Sequence, residues 1–448
     1  MNETVAGPKG LPLSGNILAF RRDTLQFIRD AAKEYGDVAH FRFGPKRHIY
    51  MLNNPDQIKE VLVTKQAHFR KAKGLQVARA VVGDGILTSE GKKHMRQRRL
   101  MQPAFHRDRI AGYGDVMVRQ GVELMSEWKD GEVLDIHHDM MKVTLAIITE
   151  TMFGKTVKEG SDKIAHAIDV GLKYVSSKAT SFIDIPLSVP TRSNREFIES
   201  SEVLDKTIYA LIEERRKSGE SGHTDLLAML LAARDEDDGQ GMTDEQVRDE
   251  VMTIFVAGHE TTANTMSWIF YLLATHPEAE QKLHDELKAV LDGRLPTVED
   301  LPKLSYANLI VQETLRLYPA AWVINREVVE EVEIGGHTYE PGDTLMMSQY
   351  VMHRMEKYYD DPDAFRPERF EGDLLKRIPA YAYFPFGGGP RVCIGNNFAL
   401  MEAALLLATI AQQYKLRLAE PEKQVEPEPL VTLRPKNGLM MRLEKRGS

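Results

Sequence analysis
The segment that most restricts how this chain can fold begins at Thr243-Asp-Glu-Gln246. A hydroxyl at the cap position and an amide three residues later form a capping box, which satisfies backbone donors at a helix start. From there to about Thr275, Val247, Val251, Ile254, Phe255, Trp268, Ile269 and Leu272 recur at helical spacing, and Pro277 follows the end. A helix of roughly 30 residues far exceeds the usual three to four turns. It predicts one element that crosses the whole molecule.

The middle of this segment, Ala257-Gly-His-Glu-Thr-Thr262, departs from a core-helix pattern. Gly258 costs about 1 kcal/mol of helix stability relative to alanine. A threonine hydroxyl can bond the carbonyl one turn earlier and bend the helix. The expectation is a locally opened ladder with space beside it. A surface acid next to a harmless kink is the plainer alternative.

Cys393 is the one cysteine of the 448-residue sequence and lies in Phe386-Gly-Gly-Gly-Pro-Arg-Val-Cys-Ile-Gly395. It can form neither an internal disulfide nor a multi-cysteine metal site. A catalytic nucleophile and a single thiolate ligand remain. The surroundings favour the ligand: Gly387, Gly388, Gly389 and Gly395 permit close backbone approach to a flat object. Arg391 offers a permanent cation suited to carboxylates.

These residues resemble the cysteine loop of the cytochrome P450 family, the haem-thiolate monooxygenases, whose pattern is Phe-x-x-Gly-x-Arg-x-Cys-x-Gly. Ala257, Gly258, Glu260, Thr261 and Thr262 match the family's central-helix motif. Glu313-Thr-Leu-Arg316 matches its Glu-x-x-Arg, and Pro367-Glu-Arg-Phe370 the partner motif. The resemblance covers nearly the whole chain in the expected order. It implies a mainly helical, triangular fold with a small β-rich region, in which haem b lies between the central helix and the helix after Cys393.

The resemblance also implies roles. Cys393 is the axial thiolate, in a loop that includes Phe386 and Gly395. Thr261 hydrogen-bonds to dioxygen, and Glu260 relays protons. His94, Arg98, Arg326 and Arg391 bind the haem propionates; His94 stands where the family usually has tryptophan. Glu313, Arg316 and Arg369 form a buried structural triad. Val81, Leu87, Phe255, Ala257, Trp322 and Leu439 fall in segments that line the substrate pocket in relatives. Lys92, Lys93, Arg96 and Arg99 are expected to attract an acidic electron-transfer protein.

Composition excludes other classes. A formal net charge of −8 argues against a general nucleic-acid binder. No apolar run is long enough to span a membrane, and the N-terminus lacks a signal-peptide core, so a cytoplasmic protein without an anchor is expected. No composition break divides residues 1–448, which predicts a single domain. Arg234–Gly241 reads as a solvated loop. His137-His138-Asp139 is a poor metal motif, because adjacent residues do not share a helix face. No phosphate or dinucleotide loop is present.

Helical patterns are expected over Thr24–Tyr35, Asp56–Thr64, Lys92–Leu100, Asp108–Lys129, Met140–Phe153, Ser161–Ser177, Asn194–Lys217, Pro277–Leu291, Tyr306–Tyr318 and Asn396–Tyr414. Strands are expected near Val38–Leu52 and Val332–Met347, with a hairpin turn at Gly335-Gly336. The resemblance implies insertion of one oxygen atom of O2 into a hydrophobic substrate (fatty acid, terpenoid or steroid). Electrons are expected from an external ferredoxin or flavodoxin-type donor, since no reductase module is appended. A peroxide-driven peroxygenase, a haem sensor and a cysteine hydrolase are the alternatives.

Overall fold
A computed structural model describes residues 5–154, 161–179, 185–218, 225–235, 239–372 and 374–447. The capping box forms as expected. Thr243 Oγ1 accepts from the Gln246 amide at 3.2 Å, Gln246 Oε1 accepts from the Thr243 amide at 3.0 Å, and the helix runs from Asp244 to Thr275. The expected opening of its ladder is absent, because the helix is continuous through residues 257–262. Back-bonding does occur: Thr261 Oγ1 donates to Ala257 O at 2.6 Å and Thr265 Oγ1 to Thr261 O at 2.9 Å. Gly258 has a packing role instead, since a Cβ there would lie 3.0 Å from Ile148 Cδ1.

Around this axle pack the helices Ile136–Phe153, Ser305–Leu317 and Asn396–Ala411, whose apolar faces form the main core. The expected Asp108–Lys129 helix is two, Arg107–Ala111 and Gly114–Ser126. The helices Lys73–Val82 and Leu226–Ala232 were not expected from the sequence. Helix Asn396–Ala411 ends three residues before Tyr414, which instead starts a strand. Part of the loop expected at Arg234–Gly241 lies outside the described residues.

Five strands order as Val38–Phe43, Arg47–Leu52, Thr344–Met347, Ile324–Val328 and Phe69–Lys71. Only the second and third of these run parallel. Register places Lys71 opposite Arg326, so two cations share one sheet edge. Gly335 and Gly336 both take positive φ, as the expected hairpin turn requires. A separate sheet pairs Met440–Lys445 with Val133–Asp135 and Tyr414–Leu418.

Two acids of the central helix fix the loop beyond Val82. Asp249 Oδ2 accepts from the Asp84 amide and Glu250 Oε2 from the Ile86 amide, both at 2.8 Å. Gly83 has φ +68°, and a Cβ there would collide with the Asp249 carboxylate. Among the described residues no helix is long and apolar enough to cross a membrane.

Candidate active site
The cysteine loop is closed by its own backbone: the Cys393 amide donates to Phe386 O at 3.0 Å, and the Val392 amide to Gly389 O at 3.1 Å. Gly389 has φ +64°, and a Cβ would lie 2.0 Å from the Leu62 carbonyl oxygen. At Gly388 a Cβ would meet the Tyr381 ring at 2.4 Å. These two glycines therefore turn against protein, rather than against a flat cofactor as expected. Gly395 differs. Its missing Cβ faces space, with Phe105 the nearest atom at 4.0 Å. Helix Asn396–Ala411 then leads away from the loop.

Cys393 carries exposed surface, and that surface belongs to an internal cavity of about 590 Å³. The size is that of a small-molecule site. Burial pushes the thiol's pKa up, opposed by the Gly395 amide and by the Arg98 guanidinium. Arg98 Nη1 also donates to Val392 O at 2.7 Å, which ties its helix, Gly91–Met101, to the loop.

The same cavity is lined by Glu260 and Thr261 of the central helix, by His94, Arg98, Arg326, Arg391, Phe386 and Gly395, and by Val81, Leu87, Ala257 and Trp322. Two expected lining residues lie elsewhere. Phe255 sits two positions before Ala257, about 200° around the helix, and faces the Phe153 and Leu204 side. Leu439 is buried in the main core, its amide donating to Asp135 Oδ1 at 2.8 Å. The C-terminal part of the wall is Pro429–Thr432 instead.

Cations crowd the cysteine end. Arg326 is pushed down to about 10 by burial and by the nearby Arg391 charge. Lys71 is pushed down to about 7, chiefly by burial and then by Arg391; its ammonium donates to Ile86 O at 3.1 Å and Ser89 O at 2.8 Å. Burial, with Arg391 next, lowers His94 to about 3, so it offers a neutral ring N–H. The acid among them is Glu90, which pairs with Arg391 and accepts from the Lys71 amide at 2.6 Å. Arg98, Arg326 and Arg391, with Lys71 partly charged beside them, outnumber the one carboxylate and leave an excess of positive charge at this end of the cavity. That donor set fits a planar group bearing two carboxylates, with a thiolate for its metal. Lys71 and Glu90 have no motif that would have marked them.

On the central helix Glu260 is 4% exposed, and burial pushes it up to about 7. Thr432 and Arg434 pull it down, and Asp169 pushes it up. Arg434 donates to Asp169 Oδ1 at 3.1 Å and Glu428 Oε2 at 2.9 Å, and both acids are about one-third exposed. The charged cluster therefore acts on Glu260 through its field, and Thr432 acts through a hydrogen bond. Asn264 Nδ2 donates to Thr432 Oγ1 at 3.0 Å and holds it in place.

Glu313, Arg316 and Arg369 do meet. Arg316 binds Glu313 through Nε at 2.7 Å and Nη2 at 2.8 Å, and Arg369 Nε reaches Glu313 Oε1 at 3.3 Å. The expected basic patch is partly neutralised by contrast, with two aspartates set against its four cations. Lys93 pairs with Asp84 at 2.6 Å, and Arg96 and Arg99 with Asp235 at 3.6 and 3.2 Å. His137 contacts Ser267 while Asp139 accepts from Trp128, and no cluster of three metal-ligating side chains occurs among the described residues.

Comparison with known proteins agrees with this geometry. The family model described as Cytochrome P450 matches residues 5–442. Cyclooctatin synthase of Streptomyces melanosporofaciens is 35% identical over 431 residues, 96% of this chain and 93% of that protein. Cyclooctat-9-en-7-ol 5-monooxygenase of the same organism is 36% identical over 415 residues, 92% and 90% of the two chains. Pentalenene oxygenase of Streptomyces avermitilis is 33% identical over 447 residues, 99% and 98%.

Proposed function
The chain belongs to the cytochrome P450 family, and on that footing we propose that it oxygenates a terpenoid in the cytoplasm with electrons from a ferredoxin or flavodoxin-type protein. It is a haem-thiolate monooxygenase. The observation that carries the substrate reading is the one cavity shared by Cys393, Glu260, Thr261 and apolar walls from Ala78, Val82, Ile148, Leu172 and Ala257. Relatives named for terpenoid chemistry support it.

Haem held through the Cys393 thiolate would supply an electron-rich iron for dioxygen chemistry. The chain's own residues do the rest. Arg98, Arg326, Arg391 and the His94 ring N–H would hold the propionates, and Lys71 would add a further cation. The Gly395 amide and Arg98 favour the anionic sulfur. Apolar walls exclude water and orient the substrate. Glu260, titrating near neutral pH, holds a proton at the cavity, its affinity for it set by burial and by Thr432, Arg434 and Asp169. Thr261 holds another at Oγ1 and trades Ala257 O for a partner in the cavity. This acid–alcohol pair favours dioxygen over peroxide as oxidant.

A second substrate reading rests on Arg47, which lines the cavity with Phe20, Phe43 and Ile49. A cation there suits a fatty acid carboxylate. A reduced carbon monoxide difference spectrum tests the thiolate, and spin-state titration with cyclic terpenes against fatty acids tests the substrate. Terpene-only shifts support the first reading; fatty-acid-only shifts replace it with the second.

A further inference from the structure
Glu402 interrupts the apolar run of helix Asn396–Ala411, is 1% exposed, and has no well-formed hydrogen bond at either carboxyl oxygen, the Thr262 side chain being the one polar group near enough to act on it. An unpaired carboxyl in such a place is costly, and a buried orphan group in a folded chain calls for a reason. Thr262 of the central helix and Ala403, Glu402's neighbour, both line the cavity, while Glu402 does not. Glu402 therefore stands behind Thr262, one residue along the helix from Thr261. Burial pushes its carboxyl up to about 8, opposed by the Thr262 side chain. Its helix packs on Arg107–Ala111, Gly114–Ser126, Ser305–Leu317, Tyr414–Leu418 and the central helix. No charged group on any of these acts on its ionisation among the described residues. Glu260, by contrast, answers to Arg434 and Asp169.

We propose that Glu402 is a positioning residue that, as the neutral acid, donates its O–H to Thr262 Oγ1 and so turns the Thr262 hydroxyl hydrogen into the cavity beside Thr261. No proton is transferred by this arrangement. It orders a donor that would otherwise rotate freely, and the Thr262 oxygen closes the contact by a small rotamer adjustment. The inference rests on the monooxygenase reading for its functional consequence, though not for the hydrogen bond itself.

The test has two arms on haem-loaded wild type, Glu402→Gln, Thr262→Val and Thr262→Ser. Infrared difference spectra at neutral pH should contain a protonated carboxyl C=O band that Glu402→Gln removes, Thr262→Val shifts and Thr262→Ser restores. Peroxide released per electron pair should rise about two- to tenfold in Glu402→Gln and in Thr262→Val, the worth of one hydrogen bond. The double variant should be no worse than either alone, and Thr262→Ser should behave as wild type. An ionised Glu402, a band indifferent to Thr262→Val, or additive effects on peroxide would overturn the proposal. Thr262→Val keeps the test decisive even where Glu402→Gln folds poorly. A normal thiolate carbon monoxide spectrum in every variant separates this failure from failure of the haem assignment.

Discussion

Arg316 grips Glu313 through two hydrogen bonds of 2.7 and 2.8 Å, and neither side chain is exposed to solvent at all. The same Glu313 carboxylate accepts from the Arg366 amide at 2.9 Å and from Arg369. Arg316 in turn donates to the carbonyls of His353 and Ala364. One acid thus fixes the segment that leads toward the cysteine loop. Replacing Glu313 with alanine leaves buried guanidinium charge uncompensated, at a cost of about 3–5 kcal/mol. Denaturant unfolding and haem content per chain should fall together; normal haem occupancy would contradict a structural role for the triad.

The proton group Glu260 should respond to its neighbours with opposite signs. Arg434 lowers its pKa from within the Asp169–Arg434–Glu428 cluster, and Asp169 raises it. Arg434→Met should therefore move the titration midpoint above about 7, and Asp169→Asn should move it below. The midpoint is read from the pH dependence of product formed per electron pair. Shifts of the same sign would sever the cluster from Glu260.

Lys71 gives a pH-dependent signature of cofactor retention. Its ammonium is already strained, at about 7 against an ordinary 10.5, so an anionic ligand is what would favour its charged form. Haem transfer to apomyoglobin should be about 10- to 150-fold faster in Lys71→Met, from a charged hydrogen bond worth roughly 1.5–3 kcal/mol. The gap should narrow as pH rises and wild-type Lys71 loses its proton. A gap constant with pH would assign the effect to packing.

Gly389→Ala joins a left-handed backbone, worth about 1–2 kcal/mol, to a collision with Leu62 O at 2.0 Å. The loop must shift, and the sulfur with it. Holoprotein yield should drop and the carbon monoxide complex should lose its thiolate signature. Gly36→Ala, also at positive φ but with nothing within 4 Å, controls for backbone strain alone.

Elements with strong local signals were legible in the sequence, and those held by distant contacts were not. The Thr243–Gln246 cap and the helix Pro277–Leu291 follow from residues adjacent in the chain. Strand Phe69–Lys71 exists because Ile324–Val328 lies beside it, and no pattern within three residues announces that pairing. Motif matching located Cys393, Glu260 and Glu313, yet Lys71, Glu90 and Arg434 act through partners far away in sequence. Glu402 left a readable trace, as a lone acid in an otherwise apolar helical run. Phe255 shows the reverse failing, because an apolar residue on the right helix can still point to the wrong side.

The ion pairs along helix Gly91–Met101 set how a redox donor can find this enzyme. Lys93, Arg96 and Arg99 share two aspartates, Asp84 and Asp235, which halves the charge that they and Lys92 present to an acidic carrier, on a protein of formal charge −8 overall. Encounter then depends on short-range fit around features such as Met95, which is 60% exposed. Turnover with its natural carrier should fall only modestly as ionic strength rises, and carriers matched in surface shape as well as acidity should outperform those chosen by acidity alone.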